Sequence, residues 1–305
     1  MMLPGRQQEG PVDTIGFIGL GTMGGPMALN LQKAGVPLVV WNRNPVKAEA
    51  LVQAGALLAA EPTEVFARCQ VVLAMLVDGE ALDQVLGRNS PAFHERVEDH
   101  LIVSLATHSA AYSKGLEAAI RAAGGRYAEA PVSGSRKPAE AAQLVAMMAG
   151  DAEDVDRLRP ILAAMCRQLV PCGAVPGGTL MKTSTALFNI AMITALSEAM
   201  NFAAQQGLDL DRFNEVLLGS PMASDVARVK APKIAHRDFA AQASVRNVLE
   251  VNRLLVEAAQ ASGIPTPLAD ACRRIHERAL AMGFGDEDMI AVLKAYESSP
   301  RDALH

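Results

Sequence analysis

The hydrophobic pattern along the chain changes style once. Up to about Gly173, short apolar runs alternate with segments of helical spacing. "DTIGFIGLG" ends in glycines, and "TMGGPMALNLQKAG" follows with helical spacing as far as Gly35. "VPLVVWNRN" is a second apolar run, and "PVKAEALVQAGA" is again helical, with proline in its first turn. Residues 71–77 and 100–106 predict two more buried strands, and "GGRYAEAPVSG" and "AQLVAMMAG" add later ones. Strands alternating with helices predict an α/β fold with a parallel sheet. Beyond "CGAVPGG" (172–178), where proline and glycine cluster, almost only helical periodicity remains. The segment 178–206 lacks proline and predicts one long helix suited to bridging two domains. The pattern thus predicts a loose tail over 1–11, an α/β domain over 12–175 and an all-α domain over 176–305.

Composition narrows the classes. Half of the 305 residues are hydrophobic, which is ample for two packed cores. Acids and bases are interspersed at a net charge of −5, with no basic run or aromatic–basic stripe, so no nucleic-acid partner is expected. No apolar run long enough to span a membrane is read, and the first residues lack an apolar signal core, so a cytoplasmic protein is expected. Cys69, Cys166, Cys172 and Cys272 form no C-x-x-C pair, and reduced thiols are expected. The six histidines show no ligand spacing, so no metal site is expected.

The first chemical signal is Gly19-Leu20-Gly21-Thr22-Met23-Gly24, a G-x-G-x-x-G turn between an apolar strand and a helix. Gly19 permits the tight turn, Gly21 lets the backbone approach a pyrophosphate, and Gly24 lets the helix pack on the strand. The helix N-terminus offers free N–H groups to the phosphates. An acidic residue at the end of the second strand would accept bonds from the ribose 2′-hydroxyl of NAD. This chain has Trp41-Asn42-Arg43-Asn44 there instead. Arg43 suits a 2′-phosphate, and Lys47 lies one helical turn on, so NADP(H) is expected over NAD(H). Ser133-Gly134-Ser135 reads either as a small anion nest or as an ordinary turn. Lys182, with Ala186 and Asn189 on the same helical face, reads either as a solvated side chain or as the wall of a site.

"IGFIGLGTMGGPMALNLQKAG…VVWNRNP" and "APVSGSRKPAEAAQLVAMMAGD" together resemble the β-hydroxyacid dehydrogenases, nearest the glyoxylate/succinic semialdehyde reductase branch. The spacing from "PGGTLMK" to Glu198, "GIPTP" and "GDEDM" is similar too, so the resemblance covers residues 13–297. It implies a Rossmann-type doubly wound sheet followed by an all-α domain. It assigns the pyrophosphate to Gly19 through Gly24, and the NADP signature to Asn42 and Arg43, next to Asn44. The adenosine-ribose side falls to Met75, Leu76 and Val77. Ser133, Gly134 and Ser135, with Thr107 after Ala106, are implied for substrate, and Thr107 serves the cofactor side as well. Lys182 matches the family's catalytic lysine, which stabilises and protonates the alkoxide that hydride attack creates.

The substrate half departs from the family pattern. Ala186 stands where the family has asparagine, and Asn189 is the candidate replacement one turn later. Counting without gaps places Glu250 and Val251 at the family's Lys-Asp pair, with Arg246 and Arg253 flanking as candidates to restore positive charge. The expectation is an NADPH-dependent oxidoreductase interconverting a small semialdehyde or oxo acid and its hydroxy acid. The alternatives are an imine or bulkier-ketone reductase, or a non-catalytic NADP-binding protein. Apolar-rich helices over 178–206 and 244–262 add the expectation of a homodimer or homotetramer through the helical domain.

Overall fold

The computed structural model describes residues 14–298, so the expected tail over 1–11 lies outside the described residues. The chain divides into two compact units, the first ending at Lys182 and the second beginning at Thr183. In the first, β1 (Ile15–Ile18), β2 (Leu38–Trp41), β3 (Leu57–Leu58), β4 (Val71–Ala74), β5 (Leu101–Ser104) and β6 (Arg126–Glu129) form one parallel sheet. The strand order is β3-β2-β1-β4-β5-β6, which reverses direction between β1 and β4. In a doubly wound sheet that reversal opens a crevice at the carboxyl ends of the strands, where nucleotides bind. Strands β1, β4 and β5 are buried at every position because helices cover both faces. That explains their unbroken apolar runs.

The later strands do not extend this sheet. β7 (Val132–Ser133), β8 (Leu144–Met148) and β9 (Cys166–Pro171) make a second sheet of their own. β7 runs antiparallel to β8, and β9 runs parallel to it. The expected parallel sheet is the six-stranded one, and β7 turns back antiparallel outside it. β9 and the two-residue β3 escape the hydrophobic pattern because their positions are largely exposed or half-buried. Four cysteines are free, and burial raises the thiols of Cys69, to about 11, and Cys166, to about 12.

The second unit is helical. The helix Gly177–Gln205 carries the division between the units in its second turn. Its later part packs Ile190, Ile193, Leu196 and Met200 against Ile234, Val248, Cys272, Ile290 and Leu293. Lys230 and Asp288 form a buried ion pair at 2.8 Å inside this unit. Contrary to the expectation of no membrane-length segment, this 29-residue helix is long and apolar enough to cross a membrane by length and composition. The run is broken by Lys182, Asn189 and Glu198, which is why it does not stand out as a continuous apolar stretch. Its buried apolar positions Ala186, Ile190, Ile193, Leu196 and Met200 are core positions of the second unit.

Candidate active site

The glycine turn closes tightly around the end of β1. Gly19 has φ +95°, and a Cβ there would lie 2.3 Å from the Met75 carbonyl oxygen. A Cβ on Gly24 would lie 1.9 Å from the Gly19 carbonyl oxygen. Both glycines are therefore needed by the fold itself. Gly21 differs: a Cβ there meets no atom within 4 Å, so the turn leaves open space at that point. The helix Gly24–Lys33 begins with no side-chain cap; Gly25 donates its N–H to the Gly21 carbonyl at 3.1 Å and Pro26 has none, so it is the positive end of the helix dipole that favours an anion there. Open space at Gly21 beside an uncapped helix start fits a dinucleotide pyrophosphate. Thr22 is exposed, while Leu20 is buried and Met23 half-buried.

Three strand ends meet this turn. Met75 donates its N–H to the Ile18 carbonyl at 2.9 Å, and Gly19 donates to the Trp41 carbonyl at 3.0 Å. Asn42 at the end of β2 accepts the Leu20 N–H at 2.8 Å and donates to the Asn44 carbonyl at 2.8 Å. Its side chain is thus spent on bracing the turn. Asn44 accepts the Val46 N–H at 3.1 Å and caps the short helix that follows. Arg43, between them, is exposed, as is Lys47. Leu76 is half-buried and Val77 is 87% exposed.

Beyond β5, Ala106 is buried and Thr107 half-buried. Sequence reasoning missed their neighbour His108. Its Nε2 lies 2.9 Å from the Ser104 hydroxyl, and its ring packs on Tyr112 at 5.0 Å. Burial lowers the His108 pKa to about 4, against the pull of Asp78 and Asp83, so the ring stays neutral at working pH. Tyr112 ties the helix Gly79–Leu86 in place by donating to Asp83 at 2.7 Å. No motif spacing marks His108; only its burial and partners do.

Ser133 is half-buried on β7, paired opposite Val145. Gly134 has φ +134°, and a Cβ there would lie 2.6 Å from Leu144, so this turn requires glycine. Ser135 precedes the short helix Arg136–Glu140 without capping it through its side chain. Four residues before Ser133 stands Glu129, also missed from sequence and 1% exposed. It accepts from the Thr179 hydroxyl at 2.7 Å and from the Thr179 N–H at 3.2 Å. The strand end leading to the Ser133 turn is thereby bonded to the helix that carries Lys182. Lys182 is half-buried, and removal from water lowers its pKa from 10.5 to about 8.

The remaining candidates belong to the second unit. Ala186 is buried in its core and Asn189 is half-buried, one turn beyond it on the helix. Glu250 is exposed, and Val251 packs against the same core. The flanking arginines each lie near an acid. Arg246 pairs with Asp286 at 3.4 Å, and Arg253 with Glu277 at 3.8 Å. Glu277 is shared with Arg273, whose guanidinium reaches it at 2.9 Å.

Known proteins resemble this chain along nearly its full length. Residues 14–173 match the NAD binding domain of 6-phosphogluconate dehydrogenase, and residues 177–296 match the NAD-binding domain family of NADP-dependent 3-hydroxyisobutyrate dehydrogenase. The chain is 32% identical to the chloroplastic glyoxylate/succinic semialdehyde reductase 2 of Arabidopsis thaliana, over 97% of this chain and 83% of that protein. It is 30% identical to glyoxylate/succinic semialdehyde reductase 1 of the same plant, over 93% and 99%. The solved 3-hydroxyisobutyrate dehydrogenase of Mycobacterium tuberculosis, with L-serine, superposes with a TM-score of 0.83 at 27% identity, covering 94% of this chain and 100% of that one. The turn, the strand order and these matches agree: the chain belongs to the β-hydroxyacid dehydrogenase family, nicotinamide-dependent enzymes that act on hydroxyl or carbonyl groups of small substrates.

Proposed function

We propose that this protein is an NADPH-dependent reductase of a small semialdehyde or oxo acid, working reversibly with the corresponding hydroxy acid. The observation that carries the reading is Lys182, a lysine whose pKa is lowered to about 8 by loss of water, in the same compact unit as the dinucleotide turn. The nicotinamide cofactor, when bound, supplies the hydride in reduction and takes it in oxidation. In reduction the carbonyl oxygen gains an electron pair as its carbon receives the hydride. Lys182 in its ammonium form stabilises that oxygen and gives it a proton. In oxidation the neutral amine removes the hydroxyl proton. A lysine near pKa 8 holds useful amounts of both forms around neutral and mildly alkaline pH.

Gly19 through Gly24 hold the pyrophosphate, with Gly21 providing the close approach. Arg43 carries the preference for NADP(H): it is exposed at the end of β2, and no carboxylate stands there to bind a ribose 2′-hydroxyl. Met75, Leu76 and Val77 flank the adenosine side, and Thr107 serves cofactor and substrate. Ser133, Gly134 and Ser135 grip the substrate carboxylate through hydroxyl and backbone N–H groups. Asn189 stands in for the asparagine replaced by Ala186. The names of the two plant relatives support an aldehyde or oxo acid that carries its own carboxylate.

Turnover of glyoxylate, succinic semialdehyde, simple ketones and cyclic imines with NADPH and NADH, in wild type and Arg43→Ala, tests this reading. The expected outcome is reduction of a carboxylate-bearing carbonyl, with NADPH preferred about tenfold or more and that preference largely lost in Arg43→Ala. Reduction of imines alone, equal use of NADH by wild type, or binding of NADPH without turnover of any compound would overturn it.

A further inference from the structure

We infer that Glu129 is a positioning residue for this reaction: its buried carboxylate holds the first turn of the helix Gly177–Gln205 and so sets where Lys182 stands. The inference rests on the reading of Lys182 as the proton donor. Glu129 is 1% exposed, so it reaches no substrate and acts only through its neighbours.

A carboxylate this far from water needs donors for its oxygens. Three groups supply them. The Thr179 N–H reaches Oε2 at 3.2 Å, and the Thr179 hydroxyl reaches Oε1 at 2.7 Å. The Ser113 hydroxyl, on the helix Ala110–Ala122, donates to Oε1 as well. Ser113 has one hydroxyl hydrogen, and it is engaged in the bond to Glu129. The Tyr127 hydroxyl, 3.1 Å from Ser113, must then donate to the serine oxygen. One carboxylate therefore ties β6, the helix Ala110–Ala122 and the start of the long helix.

Local sequence makes the approach possible. A Cβ on Gly178 would lie 2.6 Å from the Met147 carbonyl oxygen and 3.2 Å from Glu129 Oε2. A Cβ on Gly177 would lie 2.0 Å from the Cys172 carbonyl oxygen. Only glycines let the helix start descend onto the sheet and the carboxylate. The dipole of a helix start favours an anion there. Thr179 and Lys182 are three residues apart and share one helical face. Whatever fixes the threonine fixes the root of the lysine side chain.

A simple structural anchor would share these bonds, so the test needs readouts that an anchor would not move. Wild type, Glu129→Gln, Thr179→Val and Thr179→Ser are compared with NADPH and succinic semialdehyde as the probe pair. Backbone amide exchange is followed over 177–183 and over β1 and β4. In Glu129→Gln, kcat should fall about tenfold or more while the substrate KM and NADPH Kd stay within about threefold. The alkaline limb of kcat should move upward from about 8, because a loosened helix start returns water to Lys182. Amides at 177–183 should exchange faster while those of β1 and β4 do not. Thr179→Val should change kcat and the limb in the same direction, and Thr179→Ser, which keeps the hydroxyl, should behave like wild type. Should Glu129→Gln not fold, the two threonine variants decide the matter. Unmoved kcat and limb in Thr179→Val and in any folded Glu129→Gln overturn the inference, even if melting temperature drops. A fall in kcat with an unmoved limb also overturns it. Lys182→Ala run alongside separates the failures. If that variant is inactive while Glu129→Gln and Thr179→Val are normal, only the positioning role falls. If it turns over normally, the lysine reading falls and takes the inference with it.

Discussion

Gly21 and Gly24 stand three residues apart in one turn and are required for different reasons. A side chain on Gly24 would strike the Gly19 carbonyl at 1.9 Å, which is backbone and cannot step aside. Gly24→Ala should therefore destabilise the protein by about 3 kcal/mol or more. A side chain on Gly21 meets nothing within 4 Å, so Gly21→Ala should leave stability within about 1 kcal/mol of wild type. Its methyl occupies the space proposed for the pyrophosphate, and NADPH Kd should rise about tenfold or more. Thermal melts without nucleotide, paired with NADPH titrations, separate the two effects. Wild-type NADPH affinity in Gly21→Ala would remove the pyrophosphate from this turn. Much of this was legible in the sequence, because a G-x-G-x-x-G turn is a local device. The bracing role of Asn42 was not: sequence spacing does not reveal that its side chain turns back onto Leu20. Glu129 and His108 were equally hidden, since their partners lie at Thr179 and Ser104 and only folding brings a carboxylate to a helix start fifty residues on.

The helix Gly177–Gln205 shows what an element adds to its residues. Its length was readable from the absence of proline over 178–206, and its unequal sides were not. Ile190, Ile193 and Met200 face a packed core, whereas Phe188 is 73% exposed and Phe202 is 66% exposed. Phe188, Ala195 and Phe202 repeat every seven residues, with Met192 and Ala199 between them. An apolar seam with that repeat suits a second helix laid along it. Full burial of each phenylalanine is worth about 2 kcal/mol. We propose that this helix carries the homodimer or homotetramer contact. Phe188→Asp with Phe202→Asp should shift the solution mass to that of a monomer at micromolar concentration, without loss of helical signal. A wild type that is already monomeric there would contradict it. Strands β3 and β9 were missed for the complementary reason: exposed, short or half-buried strands carry no strong apolar run.

At the scale of the whole molecule, the first unit holds the dinucleotide turn and Lys182, and the second supplies a separate helical core. The nucleotide half was legible because strand, turn and helix follow one another in sequence. The substrate half was less so, because its candidates depart from the family pattern at Ala186, Glu250 and Val251. The chemistry converges on one group. Lys182 has its pKa lowered from 10.5 to about 8, so the ammonium form proposed as the proton donor is lost as pH rises through about 8. The direct measurement is the pH dependence of kcat in both directions for wild type, Lys182→Ala and Lys182→Arg, with NADPH binding measured in parallel. In wild type, reduction should fall above pH about 8, and oxidation of the hydroxy acid should rise across the same value. Lys182→Ala should lose about two to four orders of magnitude in kcat and lose that limb, with NADPH binding nearly intact. Lys182→Arg should recover little, since arginine keeps the charge and does not release a proton in this range. Near-normal turnover in Lys182→Ala, or the same limb near pH 8 surviving in its residual activity, would contradict the assignment of Lys182 as the proton donor.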